Sequence, residues 1–190
     1  MGQATNWVDK RCASTEWFTP PEILNPIRSY YQGPIPFDAA STLENPTGAL
    51  AWTSDPEGCQ CSASCLAGDS HHDGLKEIWP ASTFINPPYG RIIREWLKKI
   101  HEEAKLGREI LALLPCGARF STRYFQDNIL SKPLDAVCFI RGRVKFMRAD
   151  GSRASGNPYD SAIYGFNIVR SRFERSFAPL GSILLVTPVG

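Results

Sequence analysis

The sequence predicts an α/β protein with a largely parallel sheet flanked by helices. Short apolar runs at 82–85, 109–114, 136–140 and 162–169 have the length and composition of buried strands. Between the first two, Ile92, Ile93, Trp96, Leu97, Ile100 and Ala104 recur at helical spacing with charged residues among them. Strand alternating with helix is the rhythm of parallel strands joined by helical crossovers. In such sheets, ligands sit beyond the carboxyl ends of the strands.

The first helix signal is Thr19-Pro20-Pro21-Glu22. Thr19 suits the cap, Pro20 the first helical position, and Glu22 closes a capping box. Ile23, Leu24 and Ile27 supply the apolar stripe, and Pro26 is expected to kink or shorten the helix. Residues 34–40 read as a short strand ending at Asp38. From 41 to 80 the chain is rich in Gly, Pro, Ser, Asp and Cys and lacks periodicity, which predicts a long irregular region. Strand 82–85 then runs straight into Asn86-Pro87-Pro88-Tyr89-Gly90. The amphipathic helix that follows stops at Gly107, and strand 109–114 is closed by Pro115. A shorter helix is expected over 122–130, strands over 136–140 and 162–169, and a last strand or a tail across the sheet at 183–186. Asp38 and Asn86 both fall where a strand is expected to end, which puts them on one binding edge.

A chain of 190 residues is read as a single domain, 1–190, with an irregular Cys-rich insertion at about 41–80. The net charge of +2 is close to neutral, so a nucleic-acid partner would need a local basic face. Arg141, Arg143, Lys145, Arg148 and Arg153 offer one; Arg170, Arg172 and Arg175 form a second basic stretch. No apolar run is long enough to span a membrane, and the N-terminal residues lack the apolar core of a secretory signal. Asn6 stands where a lipidation pattern would want Ser or Thr, so the expected location is cytoplasmic. Cys12, Cys59, Cys61, Cys65, Cys116 and Cys138 are then free thiols or metal ligands. Cys59, Cys61 and Cys65 precede His71 and His72, but the paired C-x-x-C knuckles of structural zinc are missing. No metal is assigned, and the stretch is read as a solvent-facing loop.

The tetrapeptide Asn86-Pro87-Pro88-Tyr89 carries the chemistry. An exocyclic amine on a nucleobase is a poor nucleophile because its lone pair is delocalised into the ring. Two acceptors aimed at its two N–H groups localise that pair. The Asn86 side-chain oxygen and the Pro87 carbonyl are such acceptors, and consecutive prolines hold the backbone stiffly while offering no N–H. Tyr89 adds a flat ring on which an extruded base can stack. Extrusion is required, because the amine is out of reach inside a stacked duplex. A bare Pro-Pro turn can also simply end a strand; its position between an apolar strand and an amphipathic helix favours the functional reading.

With these residues in place, the sequence resembles the phage-type DNA N6-adenine methyltransferases of the Dam family, from Glu16 to about Ile168. Glu16-Trp17-Phe18-Thr19-Pro20-Pro21-Glu22 looks like the family's opening, and Phe37-Asp38-Ala39-Ala40 like its short cofactor motif. Asp73-Gly74-Leu75 followed by Trp79 is similar to its Asp-x-Leu…Trp element, and Asn86 to Gly90 to its catalytic motif. Leu113-Leu114-Pro115, Thr122-Arg123-Tyr124-Phe125, Arg141-Gly142-Arg143-Val144-Lys145-Phe146 and Ser161-Ala162-Ile163 follow in the family's order.

The resemblance implies a Rossmann-like, S-adenosylmethionine-dependent fold and transfer of a methyl group to adenine N6 in double-stranded DNA. It implies Asn86, Pro87, Pro88 and Tyr89 as catalytic residues. It implies Trp17, Thr19, Pro20, Asp38, Ala39, Asp73 and Asn86 around the cofactor, and Arg123, Arg141, Arg143 and Lys145 on the DNA. The Gly-x-Gly turn of many methyltransferases is missing here, and the Cys-rich stretch with His71 and His72 departs from the pattern. Cytosine N4, RNA adenine and a protein glutamine are rival amines for the same pair of acceptors. A catalytically inactive DNA-binding module of this fold is the rival from another class. The sequence leaves the recognition site and the oligomeric state open.

Overall fold

The computed structural model describes residues 17–42, 44–54, 73–89, 92–130, 133–148, 150–154 and 159–187. The element order is α1 (Pro21–Tyr31), β1 (Phe37–Ser41), β2 (Ala51–Ser54), β3 (Ser82–Ile85), α2 (Ile93–Lys105), β4 (Glu109–Pro115), a 3-10 turn (Ala118–Ser121), α3 (Arg123–Asn128), β5 (Leu134–Ile140), β6 (Ser161–Phe166), α4 (Arg170–Phe177) and β7 (Gly181–Leu185). The strands form one seven-stranded sheet in the order β2-β1-β3-β4-β6-β5-β7.

The sheet is α/β and helix-flanked as expected, but it is mixed rather than mostly parallel. β2, β1, β3 and β4 pair in parallel, whereas β6 runs antiparallel between β4 and β5, and β7 runs antiparallel along β5. β5 therefore still points the same way as β3 and β4. Among the described residues between β5 and β6 there is no crossover helix; the chain enters β6 from the carboxyl edge, and β7 runs in the same sense after α4.

Alternation along the strands explains the two-sided core. Phe84, Leu111 and Leu113 face α1 and α4, where they meet Ile23, Leu24, Ile27, Phe173 and Phe177. Ile85, Ile110, Ala112 and Leu114 face the other way, against Trp96, Leu97 and Ile100 of α2 and Phe125 of α3. Strands covered on both faces read as continuous apolar runs, which is why these were legible.

Several elements differ from expectation. α1 continues through Pro26 to Tyr31, its cap is Pro20 without a side-chain bond, and Pro21 takes the first helical position. β1 does not end at Asp38 but runs on to Ser41, because parallel neighbours on both sides extend its pairing. The supposedly irregular 41–80 region supplies β2, and Trp79 at its end is completely buried. Residues 55–72, with Cys59, Cys61, Cys65, His71 and His72, lie outside the described residues, as do Cys12, Glu16 and Gly90. α4 was not foreseen at all. β7 turns the 183–186 alternative into a paired edge strand.

Candidate active site

β1, β3, β4 and β5 deliver their carboxyl ends to one edge of the sheet, and that edge holds the Asn86-Pro87-Pro88-Tyr89 tetrapeptide. Asn86 follows directly on β3. Its Nδ2 donates to the Trp17 carbonyl at 3.2 Å and to the Thr19 hydroxyl at 3.1 Å. A backbone carbonyl only accepts, so this contact fixes which end of the Asn86 amide is the nitrogen. Both of these bonds use the Nδ2 end, so the Oδ1 end carries the acceptor, with Pro87 immediately after Asn86 in sequence. Thr19, which local rules placed at a helix cap, is buried and spends its hydroxyl on Asn86 instead.

Tyr89 is anchored at both ends. Its hydroxyl donates to the Leu113 carbonyl of β4 at 3.2 Å. Its ring meets Phe146 and Tyr159 edge-on, with centroids 6.2 and 6.1 Å away. Phe146 in turn stacks on Trp17 at 5.6 Å. Phe18 and Met147 exchange both backbone bonds at 2.9 Å, which clips the Trp17 segment to the chain that leaves β5. Trp17, Thr19, Asn86, Tyr89 and Phe146 thus form one connected cluster. Sequence reasoning missed Phe146 and Tyr159 as its aromatic neighbours; the alternation of Val144 and Phe146 with exposed cations was the available signal.

The cofactor-segment residues form an adjacent group. Asp38 pairs in register with Phe84, two residues before Asn86, so β1 and β3 reach the same edge side by side. Gly74 lies against the β1 backbone so closely that a Cβ there would come within 2.0 Å of the Ala39 carbonyl oxygen. That contact brings Asp73 to the end of β1. Trp79 Nε1 donates to the Gly74 carbonyl at 2.8 Å and locks the turn. Asp73 accepts the Leu75 amide at 3.0 Å and pairs with the exposed Lys76 at 3.1 Å.

Asp38 is a different kind of group. It is 2% exposed, and its oxygens accept from the Thr47 hydroxyl at 2.8 Å and the Ala40 amide at 3.1 Å. Burial pushes its carboxyl up to about 6. The native state therefore holds a proton that the unfolded chain, near 3.9, has already released. Stability should fall as pH rises from about 4 to 6, on the order of 2–3 kcal/mol, and stay lower above that. Asp38→Asn should flatten this slope. Urea midpoints at pH 4 and pH 7 for both proteins check it; equal slopes would mean that Asp38 is not the group responsible.

The basic residues separate into two places. Arg141, Arg143 and Lys145 are exposed just beyond β5, on the same edge as Asn86. Gly142, at φ 77, allows the turn out of the strand, and Val144 and Phe146 are buried between the cations. Arg143 pairs with Asp160 at 3.5 Å across the surface. Arg123 stands exposed in the first turn of α3, after β4. Arg170 belongs to the opposite edge, where it binds Asp135 at 3.3 Å and the Val186 carbonyl at 2.7 Å. Arg172 lies over the Tyr30 ring, 5.4 Å from its centroid. Arg170 and Arg172 of the second basic stretch are thus committed to packing around α4 rather than to the site, while Arg175 is exposed in the last turn of α4.

An α/β sheet that presents an oriented amide, two prolines and an anchored aromatic ring at a strand's carboxyl end defines an amino-group methyltransferase. The chain belongs to the Dam family: a family model described as DNA N-6-adenine-methyltransferase (Dam) matches residues 9–175. The protein is accordingly a DNA adenine methyltransferase acting at N6, and the cytosine, RNA and protein amines are not favoured. No individual curated protein matches the sequence. Among the described residues, no helix is long and apolar enough to cross a membrane.

Proposed function

We propose that S-adenosylmethionine is the methyl donor and that Asn86, Pro87, Pro88 and Tyr89 activate the extruded adenine of a DNA duplex. The observation that carries this reading is the Asn86 amide, held by Trp17 and Thr19 so that Oδ1 remains for the substrate. Asn86 Oδ1 and the Pro87 carbonyl accept from the two N–H groups of the adenine amine, which localises its lone pair. Tyr89 offers its ring to the base while its hydroxyl stays tied to β4. Positioning and electrostatics supply the catalysis, and the amine proton leaves after transfer.

The residues at the edge fit the donor chemically. S-adenosylmethionine supplies an already activated methyl group on a sulfonium. Asp73 is the fitting acceptor for its adenine amine or ribose hydroxyls, since among the described residues its Oδ2 pairs with the exposed Lys76 alone. Trp17, Thr19 and Pro20 line the side nearest Asn86 and suit the methionine part. Asp38 has both oxygens engaged inside the protein, so its contribution is to order the Ala39–Ala40 backbone. The free thiols Cys116 and Cys138 accord with a reducing, cytoplasmic setting, that of a bacterial host if the chain is phage-encoded.

The test is to incubate the protein with S-adenosylmethionine and unmethylated duplex DNA, digest to nucleosides and weigh them. N6-methyladenine is the expected product. N4-methylcytosine alone would keep the mechanism and overturn the substrate.

Arg123, Arg141, Arg143 and Lys145 are the proposed contacts to DNA phosphates. Replacing Arg143 and Lys145 together with Ala should weaken binding to all sequences alike. The slope of log affinity against log salt should become shallower by about two. An unchanged slope in a binding titration would remove them from the DNA face.

A further inference from the structure

The groove beside the active-site edge contains a carboxylate in a place where a DNA-binding surface has no evident use for one. Its volume is about 610 Å³, and its polar lining is Arg141, Arg143, Lys145, Arg153 and Glu22. Glu22 faces four cations. It lies in the first turn of α1, three residues after the Thr19 that holds Asn86. Arg153 reaches it from the far strand of a small hairpin: the Ala154 amide donates to the Phe146 carbonyl at 2.7 Å, and Met147 bridges both Arg153 and Phe18.

The Arg153–Glu22 contact is two-pronged. Arg153 Nη1 donates to Glu22 Oε1, and Nη2 donates to Oε2 at 3.3 Å. Both side chains are nevertheless about half exposed, at 51% and 46%. An exposed pair contributes little to stability, so opening it costs the fold little. A phosphodiester presents the guanidinium with the same fork of two oxygens that the carboxylate does. It would bring its charge into a groove lined by three further cations, of which Arg143 is paired across the surface with Asp160.

We propose that Arg153 is a further ligand for DNA phosphate and that Glu22 is its internal competitor, an ion pair that duplex DNA opens on binding. The inference rests on the reading of Arg141, Arg143 and Lys145 as phosphate contacts. Without DNA, Glu22 occupies the Arg153 fork and lowers the groove's attraction for any polyanion. With DNA, the phosphate takes the fork and Glu22 turns to solvent. The pair thereby limits non-specific affinity, which an enzyme that must leave one site and find the next requires.

The test measures binding of a fluorescein-labelled, unmethylated duplex of mixed sequence to four proteins: wild type, Glu22→Gln, Arg153→Ala and the double variant. Thermal unfolding of each shows that it is folded. Glu22→Gln should bind roughly threefold to tenfold more tightly at low salt, with a salt slope steeper by about one. Arg153→Ala should weaken binding more in the Glu22→Gln protein than in wild type, because the competitor no longer masks it. No gain from Glu22→Gln, or two effects that merely add, would overturn the competition. The Arg143 and Lys145 double replacement separates the two levels. If it leaves binding unchanged, the groove is not the DNA face; if it weakens binding while Glu22→Gln changes nothing, only the competition falls.

Discussion

Asn86→Ala is expected to abolish methyl transfer, with kcat down by roughly 10³-fold or more and S-adenosylmethionine affinity within a few fold of wild type. The change removes the acceptor for the amine and the donor that ties the strand end to Trp17 and Thr19. Losing those two bonds should cost about 1–2 kcal/mol of stability, a small effect beside the catalytic one. Asn86→Asp separates the two roles. It keeps an acceptor for the substrate but cannot donate to the Trp17 carbonyl, so it should retain a measurable rate on a less stable protein. Quantifying N6-methyladenine in digested DNA, alongside unfolding midpoints, reads both. Full activity in the Ala variant would remove Asn86 from the mechanism.

Gly74→Ala is expected to have a large effect on the fold. A Cβ at this position would meet the Ala39 carbonyl oxygen at 2.0 Å, the Thr53 hydroxyl at 2.6 Å and the Trp96 ring at 3.0 Å. None of the three can step aside easily. Ala39 is strand backbone, Thr53 donates to that same carbonyl at 2.6 Å, and Trp96 is packed in the α2 core. The Asp73–Trp79 turn must lift off β1, at a cost of about 3 kcal/mol or more. Activity should fall as well, because the lifted turn carries Asp73 away from the strand end. Chemical denaturation and cofactor titration test the two claims; a variant with wild-type stability would show that the turn is not seated as described.

Much of this site was legible in the chain because the signals were local. Asn86-Pro87-Pro88-Tyr89 sits where an apolar strand must stop, and prolines fix their backbone whatever surrounds them. The α2 periodicity was equally plain, since Ile93, Trp96, Leu97 and Ile100 all face one core. α4 was missed because Phe173 and Phe177 are its only large apolar anchors among arginines, too few for a clear stripe. β2 was missed for a related reason. Ala51 to Ser54 is only four residues long with a single large apolar side chain, and it becomes a strand only by pairing with the edge of β1.

The sequence by itself determined the α/β class, the strand-end position of Asn86-Pro87-Pro88-Tyr89, and the basic run that follows β5. The tertiary structure decided the direction of β6 and β7, which depends on how non-adjacent strands pair and so leaves no mark on any one strand. It also decided what Thr19 and Glu22 do. Local rules gave both to the helix cap, a bond each can make with its own neighbours. In the folded chain Thr19 holds Asn86 and Glu22 holds Arg153, partners 67 and 131 residues away. The half-buried Asn86 amide takes the Thr19 hydroxyl and the Arg153 guanidinium takes the Glu22 carboxylate, and only the fold brings either partner within reach.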